Sequence, residues 1–385
     1  MRVAMLDPGG FSPPYTHALC SGLAEDGHDV RLFTTPSAVN PHVDGSYRSV
    51  GHFYRHTDRL FDAESHYRTG SKGIEHGIDS LRLIRTLRAW DPDVIHYQWF
   101  PLPVVDRYVV SALEAIAPVV HTVHDSHPFL GSPSSWLQSL FATSIRSRPT
   151  QLIVHTTYTR NQLLADGVPE AAITVIPHGL LHTERFPDES STGVDRILFF
   201  GSLKPYKGVD TLLRAFAALS PAVREQTTLH IAGKPAMDIQ PLRSLADDLS
   251  VETQIDWELG HVEAADLGSL FSQASVVALP YRRIDQSGVL LTAIAAGVPA
   301  VATNVGGISE TITDGTHGIL TDPDAPEAFS RGLERVLADR DRRHRFTSAL
   351  KTLRAEWPSW SAIAADTVEV YRSSASGLSV ARREP

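Results

Sequence analysis

The stretch from Tyr281 to Glu310, YRRIDQSGVLLTAIAAGVPAVATNVGGISE, decides how half of this chain is read. It reads as loop, helix, strand and loop, with the polar turn Asp285-Gln286-Ser287-Gly288 opening the helix. The first N–H groups of a helix have no intrahelical partner and carry partial positive charge, so an anion is favoured there. Gly288 would let such an anion come close to the backbone, next to the N–H groups of Ser287, Val289 and Leu290. A second segment, FFGSLKPYKG (Phe199 to Gly208), sets Gly201, Ser202, Lys204 and Lys207 between a strand end and a helix start. A lysine is a compact charged donor that suits phosphate. Two such sites in one half of a chain imply a ligand with a phosphate or diphosphate group.

Outward from this stretch, short β-branched runs alternate with amphipathic helical segments, the pattern of parallel sheets covered by helices. Strands are expected at Arg2–Leu6, Val30–Phe33, Val94–Tyr97, Val119–Val123, Leu152–His155 and Thr174–Ile176. A second series is expected at Arg196–Phe200, Thr228–Ala232, Gln254–Trp257, Ser275–Leu279 and Ala300–Thr303. Helices fit between them, among them Tyr15–Ala24, Ile78–Ala89, Gly208–Leu219, Gln240–Leu249 and Val289–Ala296. The stretch Glu184 to Asp195, ERFPDESSTGVD, is polar and aperiodic and is the expected linker. The architecture expected is α/β: two Rossmann-like, doubly wound domains facing an interdomain cleft. They would span 1–187 and 195–355, with 356–385 a C-terminal helix and tail that crosses back to the first domain. Ligands of such sheets sit beyond the carboxyl ends of the strands, where every motif named here falls.

The bulk numbers agree. A chain of 385 residues suggests two domains, and 42% hydrophobic with 21% charged residues is ordinary for packed cores. No apolar run approaches the roughly 20 residues of a membrane span, and the first residues, MRVAMLDPGG, turn into a Gly loop instead of a signal peptide. The single cysteine, Cys20, cannot form an internal disulfide and fits a reducing, cytoplasmic setting. A net charge of −9 argues against nucleic acid as a partner. The 18 histidines show no zinc-ligand spacing, so no metal is expected. The run Leu81 to Trp90, rich in arginine, reads in two ways: a helix lying peripherally on an anionic membrane surface, or one covering a sheet with its arginines in water.

At this point the motifs carry a resemblance. FFGSLKPYKGVDTLLRAF and LPYRRIDQSGVLLTAIAAGVPAVATNVGGISETI resemble the retaining family-4 glycosyltransferases, which have the GT-B fold. The similarity extends through VIPHG (Val175 to Gly179), where the family usually has Asn in place of His178. It includes ELGHVEAADLGSLFSQASVVALPY, the segment around the nucleotide base, with His261 and Val262. In the first half it covers the Gly loop with Gly9 and Gly10, and the strand end HTVHDSHP with His124 and Asp125. The resemblance implies an enzyme that moves a sugar from a nucleotide diphosphate sugar to a carbohydrate, lipid-linked or small-molecule acceptor, with retention. It implies no cofactor and no metal, the donor being a substrate.

Carried over residue by residue, Lys207 would contact the donor diphosphate. The arginine usual just after the strand glycine is Ser202 here, and Lys204 is the candidate for the missing charge. Relatives often carry two glutamates eight positions apart around the helix start. The second falls on Thr292, and Asp285, seven residues before it, is the nearest acid for the first. Asp285 therefore reads either as a contact to the donor sugar or as a helix cap, and Thr292 offers the ribose a single hydroxyl. Glu310 is read as an acid at the start of the next helix. His124 would orient and polarise near the transferred sugar. His121 should point to the other face of its strand, by alternation. The rival readings are a nucleotide-sugar epimerase or hydrolase on the same fold and a non-catalytic nucleotide-sugar binder.

Overall fold

The computed structural model describes residues 1–39, 46–60, 66–126, 145, 149–181, 186 and 195–381. The chain divides into two units, Met1–Gly179 with Pro358–Pro385, and Leu180–Trp357. The division falls after Gly179 and not at 187, because Leu180 and Phe186 are buried in the apolar core of the second unit. The expected linker lies outside the described residues, apart from Phe186 and Asp195.

The first unit holds β1 (Arg2–Asp7), β2 (Asp29–Thr34), β3 (Arg48–Gly51), β4 (Val94–Tyr97), β5 (Val119–Val123), β6 (Gln151–Val154) and β7 (Ile173–Val175). All pairs are parallel, in the order β3-β2-β1-β4-β5-β6-β7. Central strands covered on both faces are apolar throughout, and β1 shows it: Val3 to Leu6 are fully buried. Val3 and Met5 pack on the face of helix Pro13–Glu25, while Ala4 and Leu6 meet Phe53, Leu83 and Leu87 on the other. Helix Trp360–Ala381 belongs to this unit. It lies against helix Pro13–Glu25 and adds Ile363, Ala364, Val368 and Tyr371 to the first of those faces. The helix expected over Ile78–Ala89 runs from His66 to Trp90. It buries Leu83, Ile84, Leu87 and Trp90 on the sheet and leaves Arg82, Arg85 and Arg88 exposed.

The second unit holds β8 (Asp195–Phe200), β9 (Thr227–Gly233), β10 (Ile255–Leu259), β11 (Val276–Leu279), β12 (Ala300–Thr303) and β13 (Gly318–Thr321). The order is β10-β9-β8-β11-β12-β13, again all parallel. Strands β3 and β13 were not expected from the sequence. Each is an edge strand that is only partly buried and mixes polar residues and glycine with its apolar ones, so it lacks the continuous apolar run of the central strands. In both sheets the strand order reverses beside the first strand, between β1 and β4 and between β8 and β11. The crevice beyond the carboxyl ends at such a switch point is where doubly wound sheets bind ligands. No helix among the described residues is long and apolar enough to cross a membrane.

Candidate active site

In the second unit the switch point is built from the residues after β8 and β11. Past β8, Gly201 turns with φ 115°, and the turn Pro205–Lys207 leads into helix Val209–Ala217. Gly208 begins that helix with φ 68°, and a Cβ there would overlap the Pro280 carbonyl oxygen. Only glycine lets the lysine turn sit this close to the end of β11. Lys207 Nζ consequently lies 3.9 Å from the ring centroid of Tyr281, a cation–π contact. Tyr281 is fully buried, which pushes its hydroxyl pKa up, while the Ser287 side chain acts in the opposite direction.

Ser287 caps helix Gly288–Ala296, its hydroxyl oxygen accepting from the Leu290 N–H at 3.2 Å. A Cβ added at Gly201 would lie 3.5 Å from Val289 Cγ2, so the β8 turn and this helix start are neighbours. A Cβ added at Gly288 meets no atom within 4 Å outside its own turn, so the helix start opens onto free space. Lys207, Tyr281, Ser287, Gly288, Val289 and Gly201 thus gather in one place. The other residues expected there take different stations. Lys204 lines a surface groove of about 500 Å³ with Asp210 and Arg282, one that Lys207 does not line. Ser202 donates to the Lys234 carbonyl at 3.3 Å. Thr292 donates to the Gly288 carbonyl at 2.9 Å, which leaves its oxygen as an acceptor only. Asp285 is 5% exposed, and its carbonyl accepts from the Gly307 N–H at 3.0 Å. Val262 packs on the core, while His261 is exposed, 3.8 Å from Glu263. Glu310 lies in the first turn of the short helix Ile308–Thr311.

The first unit gathers a second set at its own switch point. Gly10, φ 58°, closes the loop after β1, its N–H donating to the Asp7 carbonyl at 3.1 Å. The buried Asp7 carboxylate accepts from the Phe11 N–H and the Thr16 hydroxyl, each at 3.2 Å. Trp99, after β4, donates its indole N–H to Ser12 Oγ at 3.0 Å. The same indole stacks on His124, with ring centroids 5.1 Å apart and planes 13° from parallel. His124 Nε2 lies 2.9 Å from the Gln98 side-chain amide, and its Nδ1 lies 3.3 Å from His155 Nε2. His178 and His155 stand 5.2 Å apart, and the Tyr15 ring touches all three imidazoles. His121 faces the other side of β5, against Phe100 at 4.3 Å, as alternation requires.

Burial holds these imidazoles neutral. His155 is lowered to about 3 and His178 to about 4, in each case chiefly by desolvation. His124 falls well below its ordinary value, first through burial and then through the neighbouring His155 and His178. Neutral rings impose an order on the protons. His155 Nδ1 faces the Ile176 carbonyl at 2.9 Å and donates to it. His124 Nε2 faces Gln98 Oε1 and donates its proton there, while the Gln98 NH₂ faces Met5 Sδ at 3.1 Å. Both nitrogens are occupied inside this unit. Held there, the ring can orient a ligand. Among the described residues no group of three or more His, Cys, Asp or Glu is placed to hold a metal ion.

Gln98, Trp99, Tyr15 and His155 were not singled out from the sequence. Their signal was position alone: each strand-end residue follows the last residue of a strand by one or two places, as in HYQWF and LIVHT.

Comparison with known proteins places both units in known families. A profile described as "Glycosyl transferases group 1" matches residues 182–352, and one described as "Glycosyl transferase 4-like domain" matches residues 12–179. A D-inositol 3-phosphate glycosyltransferase of Paenarthrobacter aurescens is 30% identical over 98% of this chain and 96% of its own. The chain belongs to the group 1 glycosyl transferases. A further relative, a glycogen synthase of Mycobacterium tuberculosis, is 25% identical over 94% of this chain and 91% of its own. Among solved structures, HepE of Anabaena in complex with UDP-glucose matches with a TM-score of 0.74 at 17% identity, covering 97% of this chain and all of that one. Sucrose-phosphate synthase from Thermosynechococcus elongatus has the same score at 18% identity, covering 97% and 99%. These similarities show the GT-B fold, and the chain is an enzyme of the glycosyltransferase class.

Proposed function

We propose that this glycosyltransferase moves a sugar from a nucleotide diphosphate sugar to a carbohydrate or lipid-linked acceptor hydroxyl, with retention at the anomeric carbon. The observation that carries the reading is the open helix start at Gly288, set beside Lys207 on Tyr281 at a sheet switch point. Such a place offers free N–H groups, a positive dipole end and a lysine to a diphosphate, with no metal ion needed. The structural neighbour that holds UDP-glucose supports the same donor class.

In the step proposed, the acceptor oxygen bonds to the anomeric carbon on the face from which the diphosphate departs. The bond from that carbon to the diphosphate oxygen breaks, and the acceptor proton passes to the leaving diphosphate. Lys207 and the helix start stabilise the charge that develops there. His124, held by Gln98 and stacked on Trp99, orients the reacting groups.

Release of free nucleoside diphosphate from a panel of nucleotide sugars tests this reading. It is expected only when acceptor is added. Release without acceptor would indicate a hydrolase, interconversion of the donor without release an epimerase, and binding without either a non-catalytic subunit.

A further inference from the structure

Arg282 follows Tyr281 at the end of β11 and plays no part in the site as described so far. A guanidinium has five N–H donors, and here each has an acceptor. Nε–H donates to Asp324 Oδ1 at 2.6 Å. Nη1 donates to Asp210 Oδ1 at 2.9 Å and to the Pro205 carbonyl at 2.8 Å. Nη2 donates to Asp210 Oδ2 at 2.7 Å and to Thr211 Oγ1 at 3.3 Å. The Arg282 backbone N–H adds a bond to the Tyr206 carbonyl at 2.8 Å.

Two consequences follow. No donor is left over for a phosphate, so Arg282 is not a ligand of the anion site although it stands one residue from Tyr281. And its partners enclose the lysine turn on both sides in sequence: Pro205 and Tyr206 before Lys207, Asp210 and Thr211 after it. Asp324, from the loop after β13, anchors the guanidinium from a third direction. The charge is common to Arg and Lys, but the planar fork is not. One ammonium cannot reach a bidentate carboxylate, a carbonyl and a second carboxylate together.

We infer that Arg282 is a positioning residue: it holds the Pro205–Gly208 turn, and through it Lys207 Nζ over the Tyr281 ring, where a donor diphosphate is received. This rests on the reading of Lys207 as a diphosphate ligand.

The test is a double-mutant cycle on the full chain. UDP, GDP and ADP are titrated calorimetrically into the native protein, and the tightest is then used with Arg282→Lys, Lys207→Ala and the double variant. Thermal unfolding fixes a temperature at which all four are folded. Arg282→Lys is expected to weaken binding about 10-fold alone and less than twofold when Lys207 is already alanine, since coupled residues are not additive. Asp210→Asn, which keeps the arginine but removes its carboxylate, should behave like Arg282→Lys. A lowered melting temperature with native affinity would make Arg282 a purely structural clamp and overturn the inference. Full additivity of the two losses would overturn it too, by making Arg282 act independently of Lys207. Native affinity in Lys207→Ala alone would remove the lysine site, and the inference with it.

Discussion

Replacing His124 with alanine is expected to lower turnover by about 100-fold, the size of loss that misaligning reacting groups by about 1 Å produces. Affinity for nucleoside diphosphate should stay within about twofold. The split follows from where the groups lie. The residues proposed to hold the diphosphate are on the loops and helix start of the second unit, and His124 directly follows β5 of the first. Removing the imidazole unstacks Trp99 and frees both Gln98 and His155 from the contacts that order them. Trp99 in turn anchors the loop of Gly9, Gly10 and Ser12 through its indole N–H. The variant will lose some stability, so turnover is read below its own unfolding temperature. Near-native turnover in folded His124→Ala would remove this residue from the mechanism.

Replacing Lys207 with alanine is expected to act on the other quantity. A charge-assisted hydrogen bond contributes about 1.5–3 kcal/mol, so nucleoside diphosphate affinity should fall about 10- to 100-fold. Stability should change little. Lys207 contributes its ammonium to the Tyr281 face, whereas the turn that carries it is fixed by Gly208 against Pro280 and by the bonds of Arg282. The measurement is a calorimetric titration against the native chain, and unchanged affinity would end the assignment.

Much of the fold is legible in the sequence, because central parallel strands are apolar runs bounded by turns. Val94–Tyr97, Val119–Val123 and Ala300–Thr303 fall at the expected residues. The edge strands Arg48–Gly51 and Gly318–Thr321 do not stand out, since they are only partly buried and mix polar residues and glycine into their four positions. The site divides in the same way. Gly201, Lys207, Ser287 and Gly288 are contiguous in short segments whose composition betrays a helix start or a tight turn. Tyr281, Arg282, Gln98 and His155 are legible only through partners brought in by the topology. Arg282 meets Asp210 from the first turn of an earlier helix and Asp324 from a later loop. His124 meets Gln98 and His155 from neighbouring strands. The helix Gly288–Ala296 is itself capped by Ser287, while Asp285 lies buried just before it with its carbonyl bonded to Gly307.

The central claim is that the helix start at Gly288 receives a diphosphate. Gly288→Ala tests it most directly, because a Cβ there meets nothing within 4 Å outside its own turn. Alanine is also the better helix residue by up to about 1 kcal/mol, so the variant should unfold at or above the native temperature. Titrated with the same nucleoside diphosphate, it should bind at least about 10-fold more weakly than the native chain, since the added methyl occupies the space through which the anion approaches. Native affinity in a fully stable Gly288→Ala would show that the helix start is not the diphosphate site.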